Sequence, residues 1–271
     1  IQSATANVLY NNGVSGQTSS RALQGTGAAP ASLAVSDGPT YDYGNVATGG
    51  FGDKTFTITN SGGVTATGLN GSGLSTPFAF KGGGFPGTGG TCATTLAASS
   101  TCTIVISFSP VANGAATNTV TIGYFNGAAA DSTTRDLQGT GVTPAQLSLS
   151  DGPTYDYGSI PVSGSAEKTF TVTNGGNYNA TSMVGAGLTA PFVYKGGTYP
   201  GTGGSCGASL APAGTCTIVV VFNPSAVGSF SSAADMAYFD GAGTQHATRA
   251  VQGVGAPPGQ LTISDGPTYN F

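Results

Sequence analysis

The stretch "KTFTITN", residues 54–60, alternates apolar and polar side chains, and its near-copy "KTFTVTN" stands at residues 168–174. Phe56 and Ile58 project to one side of an extended chain and Thr55, Thr57 and Thr59 to the other. That period of two belongs to a strand buried on one face. A second stretch, "CTIVISFSP" from Cys102, places Cys102, Ile104, Ile106 and Phe108 on one side. Its copy places Cys216, Ile218, Val220 and Phe222 there. "NTVTIGYF" from Asn118, "TTRDLQGTG" from Thr133, "SLAVS" from Ser32 and "PFAFKG" from Pro77 read as further strands. Clusters of Gly, Asn, Ser and Pro separate them, which is turn chemistry. No segment keeps a helical period over three turns.

Every one of these stretches recurs in phase. Asp37 and Asp151 are 114 residues apart, as are Asp151 and Asp265, Cys92 and Cys206, and Cys102 and Cys216. "SDGPTYDYG" opens at Ser36 and Ser150 and returns as "SDGPTYNF", with Asn270 where the earlier copies carry an acid. "RALQGTG", "RDLQGTG" and "RAVQGVG" begin at Arg21, Arg135 and Arg249. A period of 114 is the size of a whole domain with its own core. About seven short strands per period predict an all-β chain of tandem Ig-like sandwiches, each with two sheets face to face. Pro30, Pro144 and Pro258 mark short, stiff connectors. The expected organisation is complete domains at 28–141 and 142–255. Residues 1–27 match the last strands of a preceding domain, and 256–271 the first strand of a following one. The chain reads as a window on a longer repetitive array.

Of 271 residues only 7% are charged, with 46 glycines and a formal net charge of −4. Nucleic acid demands a basic face, so that class of partner is excluded. No apolar run approaches the length of a membrane span. Ile1 falls inside a repeat, so the absence of a leader there is uninformative. All seven basic residues recur in phase: Arg21/Arg135/Arg249, Lys54/Lys168 and Lys81/Lys195. Duplication accounts for that, and a fixed pairing inside each domain would use it, but the sequence does not choose the partners.

An aromatic-Gly opening ("YDYGNV", "YDYGSI") is followed by "TFTITN" or "TFTVTN", a cysteine ten residues before "CTIVISF" or "CTIVVVF", and a closing "LQGTG" or "VQGVG". This order resembles the bacterial choice-of-anchor D repeats, relatives of the ASPM–SPD-2–Hydin group of Ig-like domains, over nearly all of both complete periods. The resemblance implies a seven-stranded sandwich, secreted or surface-attached, in tandem within long proteins, with no catalytic residues to carry over. The extension "SDGPTYDYG" departs from the family's shorter opening.

Each period holds two cysteines, Cys92/Cys102 and Cys206/Cys216. An even count at fixed spacing reads as one disulfide per domain. The other reading is a pair of buried thiols in a reducing compartment. Zinc sites need more ligands than one His can complete. Asp37, Asp42, Asp151 and Asp156 are the candidates for a junction calcium, which takes six to eight oxygens; an Asp-Gly-Pro turn explains the same residues. Lys54 with Asn60, and Lys168 with Asn174, are candidates for a Lys–Asn isopeptide bond. The Gly-rich "GFPGTGGTC" from Gly84 lacks the Lys-Ser/Thr of a phosphate loop, and reads as a flexible exposed loop whose Phe85 and Tyr199 cover a sheet edge or a neighbouring chain. His246 is the single histidine; Ser132 and Thr18 hold its in-phase positions, so no Ser-His-Asp set recurs. The expected function is structural, with no enzyme activity and no cofactor: repeats of an extracellular or cell-surface fibre, stalk or filament, touching adjacent repeats and neighbouring chains. An adhesin module holding glycans or another cell surface is the alternative.

Overall fold

The computed structural model describes residues 1–264 and 266–268. Asp265 and Asn270, singled out in the sequence, lie outside them, as do Tyr269 and Phe271 at the end of the 256–271 segment. The described residues form an all-β protein. A two-stranded hairpin comes first: β1 (Gln2–Asn11) and β2 (Gly16–Gly25). There follow β3 (Leu33–Val35), β4 (Thr40–Ala47), β5 (Gly52–Asn60), β6 (Ala66–Ser72), β7 (Phe78–Phe80), β8 (Thr95–Leu96), β9 (Thr101–Phe108), β10 (Gly114–Phe125) and β11 (Ala130–Val142). The set recurs as β12 (Leu147–Leu149), β13 (Thr154–Pro161), β14 (Ala166–Asn174), β15 (Ala180–Ala186), β16 (Phe192–Tyr194), β17 (Ser209–Leu210), β18 (Thr215–Phe222), β19 (Gly228–Phe239) and β20 (Thr244–Ala256). Each full set makes a four-stranded sheet, β3-β5-β9-β7 or β12-β14-β18-β16, and a five-stranded one, β4-β11-β10-β6-β8 or β13-β20-β19-β15-β17.

Nine strands per period exceed the seven expected. β8 and β17 are two residues long, too short for an alternation to show. β4 and β13 are the second half of "SDGPTYDYG", which the Gly-Pro pair disguises as turn. β13 runs parallel to β20, from Thr154 opposite Ala250 to Pro161 opposite Ala256, with a register shift between Asp156 and Ser159. Asp42 and Asp156 therefore stand in strands, not in a turn as the sequence suggested.

The described residues divide into two compact units: Ile1–Asp42 with Asp53–Ser107 and Thr117–Gln138, and Tyr43–Gly52 with Phe108–Ala116 and the described residues from Gly139 onward. In the second, Phe170, Val172, Phe192, Ile218, Val220 and Phe222 from the four-stranded sheet meet Ala234, Met236 and Val251 from the five-stranded one in a single core. Phe192 stacks on Phe222, centroids 4.7 Å apart. Burying each such ring contributes about 2 kcal/mol. In the first unit Phe56, Ile58, Ile104 and Ile106 are fully buried, as the alternation requires, and Tyr41 meets Phe56 edge-on at 5.3 Å.

The polar end of "KTFTITN" is buried too. Asn60 and Asn174 are wholly inaccessible. Asn60 Oδ1 accepts from the Ser32 and Gly62 amides (3.2 and 3.0 Å), and Nδ2 donates to the carbonyls of Val64, Leu96 and Ala97 (2.9, 3.1 and 3.2 Å). Asn174 does the same with Gln146, Gly176, Tyr178 and Leu210. One carboxamide thus joins the entering segment, the turn after its own strand and the shortest strand of the facing sheet. Replacing Asn60 by Ala strands these backbone groups in the interior, so Asn60→Ala is expected to lower stability by about 3 kcal/mol, measured by urea unfolding against the wild-type chain.

Candidate functional site

The polar side chains repeated in phase sit in two clusters per repeat. The first gathers around the Asp-Gly-Pro turn. Asp37 and Asp151 adopt φ of 70° and 61°, a left-handed conformation that Asp tolerates better than most residues. Each turns its carboxylate onto the lysine that opens the neighbouring strand: Lys54 to Asp37 and Lys168 to Asp151, both at 2.9 Å. The same ammonium groups lie over the Tyr41 and Tyr155 rings, 4.7 Å from their centroids. Ser36 and Ser150 add hydroxyl donors at 2.5 and 2.6 Å. From the last strand of each repeat, Gln138 donates to Asp42 at 2.8 Å and Gln252 to Asp156 at 2.9 Å. The guanidinium groups of Arg135 and Arg249 donate to the Val35 and Leu149 carbonyls. "SDGPTYDYG", "KTFT" and "RxLQGTG" are therefore three parts of one clamp that closes the repeat on itself.

The second cluster is the cysteine loop. Cys92 bonds Cys102 and Cys206 bonds Cys216, with Cα–Cα distances of 4.8 Å in both. The Gly-rich segment between "PFAFKG" and the first cysteine is not the flexible loop its composition suggested. Its backbone forms a strap along β9: Lys81 N donates to Val105 O, Val105 N to Pro86 O, and Thr91 N to Thr103 O, at 3.0, 2.8 and 2.9 Å. At Gly87 a Cβ would sit 2.2 Å from the Val105 carbonyl oxygen, so only glycine admits this approach. The strap buries Val105 and Val219, which face away from the core. Phe85 packs edge-on against Phe80 at 5.6 Å and Tyr199 against Tyr194 at 5.7 Å. The remaining lysines secure the strap, Lys81 to Asp53 at 2.6 Å and Lys195 to Glu167 at 2.8 Å.

These partners correct one reading and bear on another. Lys54 and Asn60 occupy opposite ends of β5, about 20 Å apart at strand rise. Lys54 is held by Asp37 and Asn60 by backbone, and the same holds for Lys168 and Asn174, so the isopeptide bond has no geometry to form. Asp37 and Asp42, and Asp151 and Asp156, turn to different partners, and among the described residues no group of three or more His, Cys, Asp and Glu side chains is placed to hold a metal. The sequence also missed a pair: His246 Nδ1 lies 2.9 Å from the Asp235 carboxylate on the exposed β19–β20 ladder. The in-phase residues are Ser132 and Thr121, so this contact is absent from the other repeat. Tyr194 OH is buried without a hydrogen-bond partner, and burial pushes its pKa up to about 12. The in-phase residue is Phe80, and the hydroxyl is an addition to a slot that a phenyl ring fills.

A junction lies within the second unit. The β4–β5 turn is pinned by Thr48 N to Val142 O (2.8 Å) and Gly49 N to Pro110 O (3.0 Å). Its Val46, Ala47 and Gly50 are buried. They pack against the β19–β20 turn: a Cβ on Gly50 would lie 2.2 Å from Gly241 O, and one on Gly241 would lie 2.5 Å from Tyr178 and 2.6 Å from Ala47 Cβ. The segment between the two is also fixed. Asn113 Nδ2 donates to Thr143 Oγ1 at 2.8 Å, Asn177 N to Thr143 O and Ala145 N to Asp240 O, both at 3.0 Å.

No family model matches the chain, and no curated protein does. Among solved structures, it is similar to the zebrafish RET cadherin-like domains 1 to 4, with 8% identity, a TM-score of 0.37, and 94% of this chain and 57% of that one covered. The I-band fragment I67–I69 of titin gives 12%, 0.32, 83% and 66%. The VesB protease of Vibrio cholerae gives 18%, 0.33, 41% and 32%. The Ig-like sandwich is read from the sheets themselves.

Two outcomes follow. Removing one disulfide with Cys92→Ser and Cys102→Ser is expected to cost about 3 kcal/mol, read from denaturant unfolding, with both thiols of each native pair unreactive to alkylation before reduction. The hydrogen bond from Lys54, then that from Ser36, holds the Asp37 carboxyl below the ordinary aspartate range; for Asp151 the Ser150 bond leads and Lys168 follows. A depressed carboxylate stabilises the fold above the unfolded pKa and loses that contribution as pH falls through the folded one. Carboxyl NMR titration should therefore find both midpoints below that of an ordinary aspartate, and Lys54→Ala should move the Asp37 midpoint upward while leaving Asp151 in place.

Proposed function

We propose that the chain is a run of structural repeats from a long extracellular or cell-surface fibre, stalk or filament, built as choice-of-anchor D-like domains at 28–141 and 142–255 between partial domains at 1–27 and 256–271. It is not an enzyme in this reading. The observation that carries it is the direction of the polar side chains. The basic residues of the complete repeats and the two buried carboxamides all take partners within their own repeat, on the clamp, the strap or the backbone around Asn60 and Asn174, and so maintain the shape of one repeat. His246 and Asp235 form a pair on the β19–β20 ladder that has no counterpart in the other repeat.

Two disulfides suit an oxidising compartment. A joint repeated with one rotation and one translation generates a helical array without further instruction. Low charge and Thr-rich outer faces suit contacts between neighbouring chains. Electron microscopy of the material from its natural source is the test. A regular fibre with an axial repeat set by one 114-residue period is expected. Dispersed globular particles would overturn the fibre, and isolated threads carrying a distinct tip would favour the adhesin stalk.

A further inference from the structure

The junction described above has a second half-seat. The β13–β14 turn reproduces the β4–β5 turn bond for bond: Val162 N donates to Ala256 O, Ser163 N to Pro224 O and Gly164 N to Pro161 O, at 2.9, 3.0 and 2.8 Å. Ser163 holds φ of 68° where Gly49 holds 83°. The glycine whose missing Cβ admits the neighbouring turn is retained, as Gly164 for Gly50. Ile160 and Pro161 keep the apolar character of Val46 and Ala47. The covering differs. Val46, Ala47 and Gly50 are buried, whereas Ile160 and Gly164 are half-buried and Pro161 is exposed.

The part that covers the first seat is itself repeated. The β19–β20 turn reads Asp240-Gly241-Ala242, its counterparts read Asn126-Gly127-Ala128 and Asn12-Gly13-Val14, and the three glycines have φ of 102°, 95° and 93°. In each turn the leading side chain accepts from the two amides ahead: Asp240 at 2.8 and 2.7 Å, Asn126 at 2.9 and 2.8 Å, Asn12 at 2.9 and 2.8 Å. The plug is as constant as the seat.

We infer that the Ile160–Gly164 turn is a docking seat for the Asx-Gly hairpin turn of the following repeat in the same chain. The occupant is chosen by the seated example. Gly50 accepts a glycine carbonyl at a distance that excludes any side chain on either partner, and the ring of Tyr178 closes one side. Only a turn with a left-handed glycine behind a short polar cap offers that surface. The inference rests on the tandem-repeat reading and specifies its joint.

The spacing of the existing joint supplies the test. A Cβ at Gly49 would lie 3.8 Å from Ala242 Cβ, within the range for a disulfide. Gly49→Cys with Ala242→Cys is the control in the full chain. The experiment lengthens the chain by one further period. It pairs Ser163→Cys with a cysteine in the added period at the position in phase with Ala242. Under mild oxidation, non-reducing peptide mapping is expected to show the new pair closed within the chain to the same extent as the control, with loss of both free thiols. Closure of the control alone would overturn the seat, as would linkage of the new pair only between separate chains. Open pairs in both would remove the joint on which the inference is built. Imaging of the natural fibre is read separately: a fibre with an open seat rejects this joint and keeps the structural reading. A closed seat without a fibre does the reverse.

Discussion

A sandwich of two sheets buries its side chains readily but has trouble with the backbone at its ends, where chain must enter, turn and cross without a ladder partner. The buried carboxamides of Asn60 and Asn174 meet that constraint. Each offers two acceptor directions and two donor hydrogens, and each uses all of them on main-chain groups from three separate segments. An unmade hydrogen bond in that interior costs more than a made one contributes, so this amide fixes where the entering segment lies. The start of the first short strand, the turn after "KTFTITN" and the position of β8 all follow from it.

The clamp at the other side of the repeat works on charge and ring together. Lys54 has an anion at one face and an aromatic ring at the other. Arg135 donates to a carbonyl of β3, and Gln138 takes the second acid. Exposed ion pairs alone are worth little. These are only partly exposed and share partners across a hundred residues of sequence, so what they contribute is specificity: the last strand can close against the first in one register. The disulfide strap does comparable duty on the four-stranded sheet, where a three-residue edge strand would otherwise leave β9 open.

The exposed ends of the described chain show the same logic from outside. Val8 and Leu23 of the first hairpin are largely exposed, whereas their in-phase counterparts Ile122 and Leu137 are buried. Both positions are apolar in each copy, and the difference is the presence of a facing sheet. Burial here belongs to the assembled sandwich and not to the strand.

The period, the alternating strands and their inward faces were determined by the sequence itself, because alternation and in-phase repetition are local properties that need no partner to be read. The pairing of cysteines was also legible, since two per period leave few choices. Partner choice was not. Lys54 could have served Asn60 on its own strand, and it serves Asp37, seventeen residues away, because a β-strand holds its two ends apart while a turn brings Asp37 alongside. The Gly-rich loop has the composition of a mobile linker and becomes a strap because glycines let its backbone lie against β9. β4 was hidden in turn-like residues because its strand character comes from a ladder with β11, nearly a hundred positions on. Long-range hydrogen bonding decided these points, and one-dimensional pattern carries no record of it.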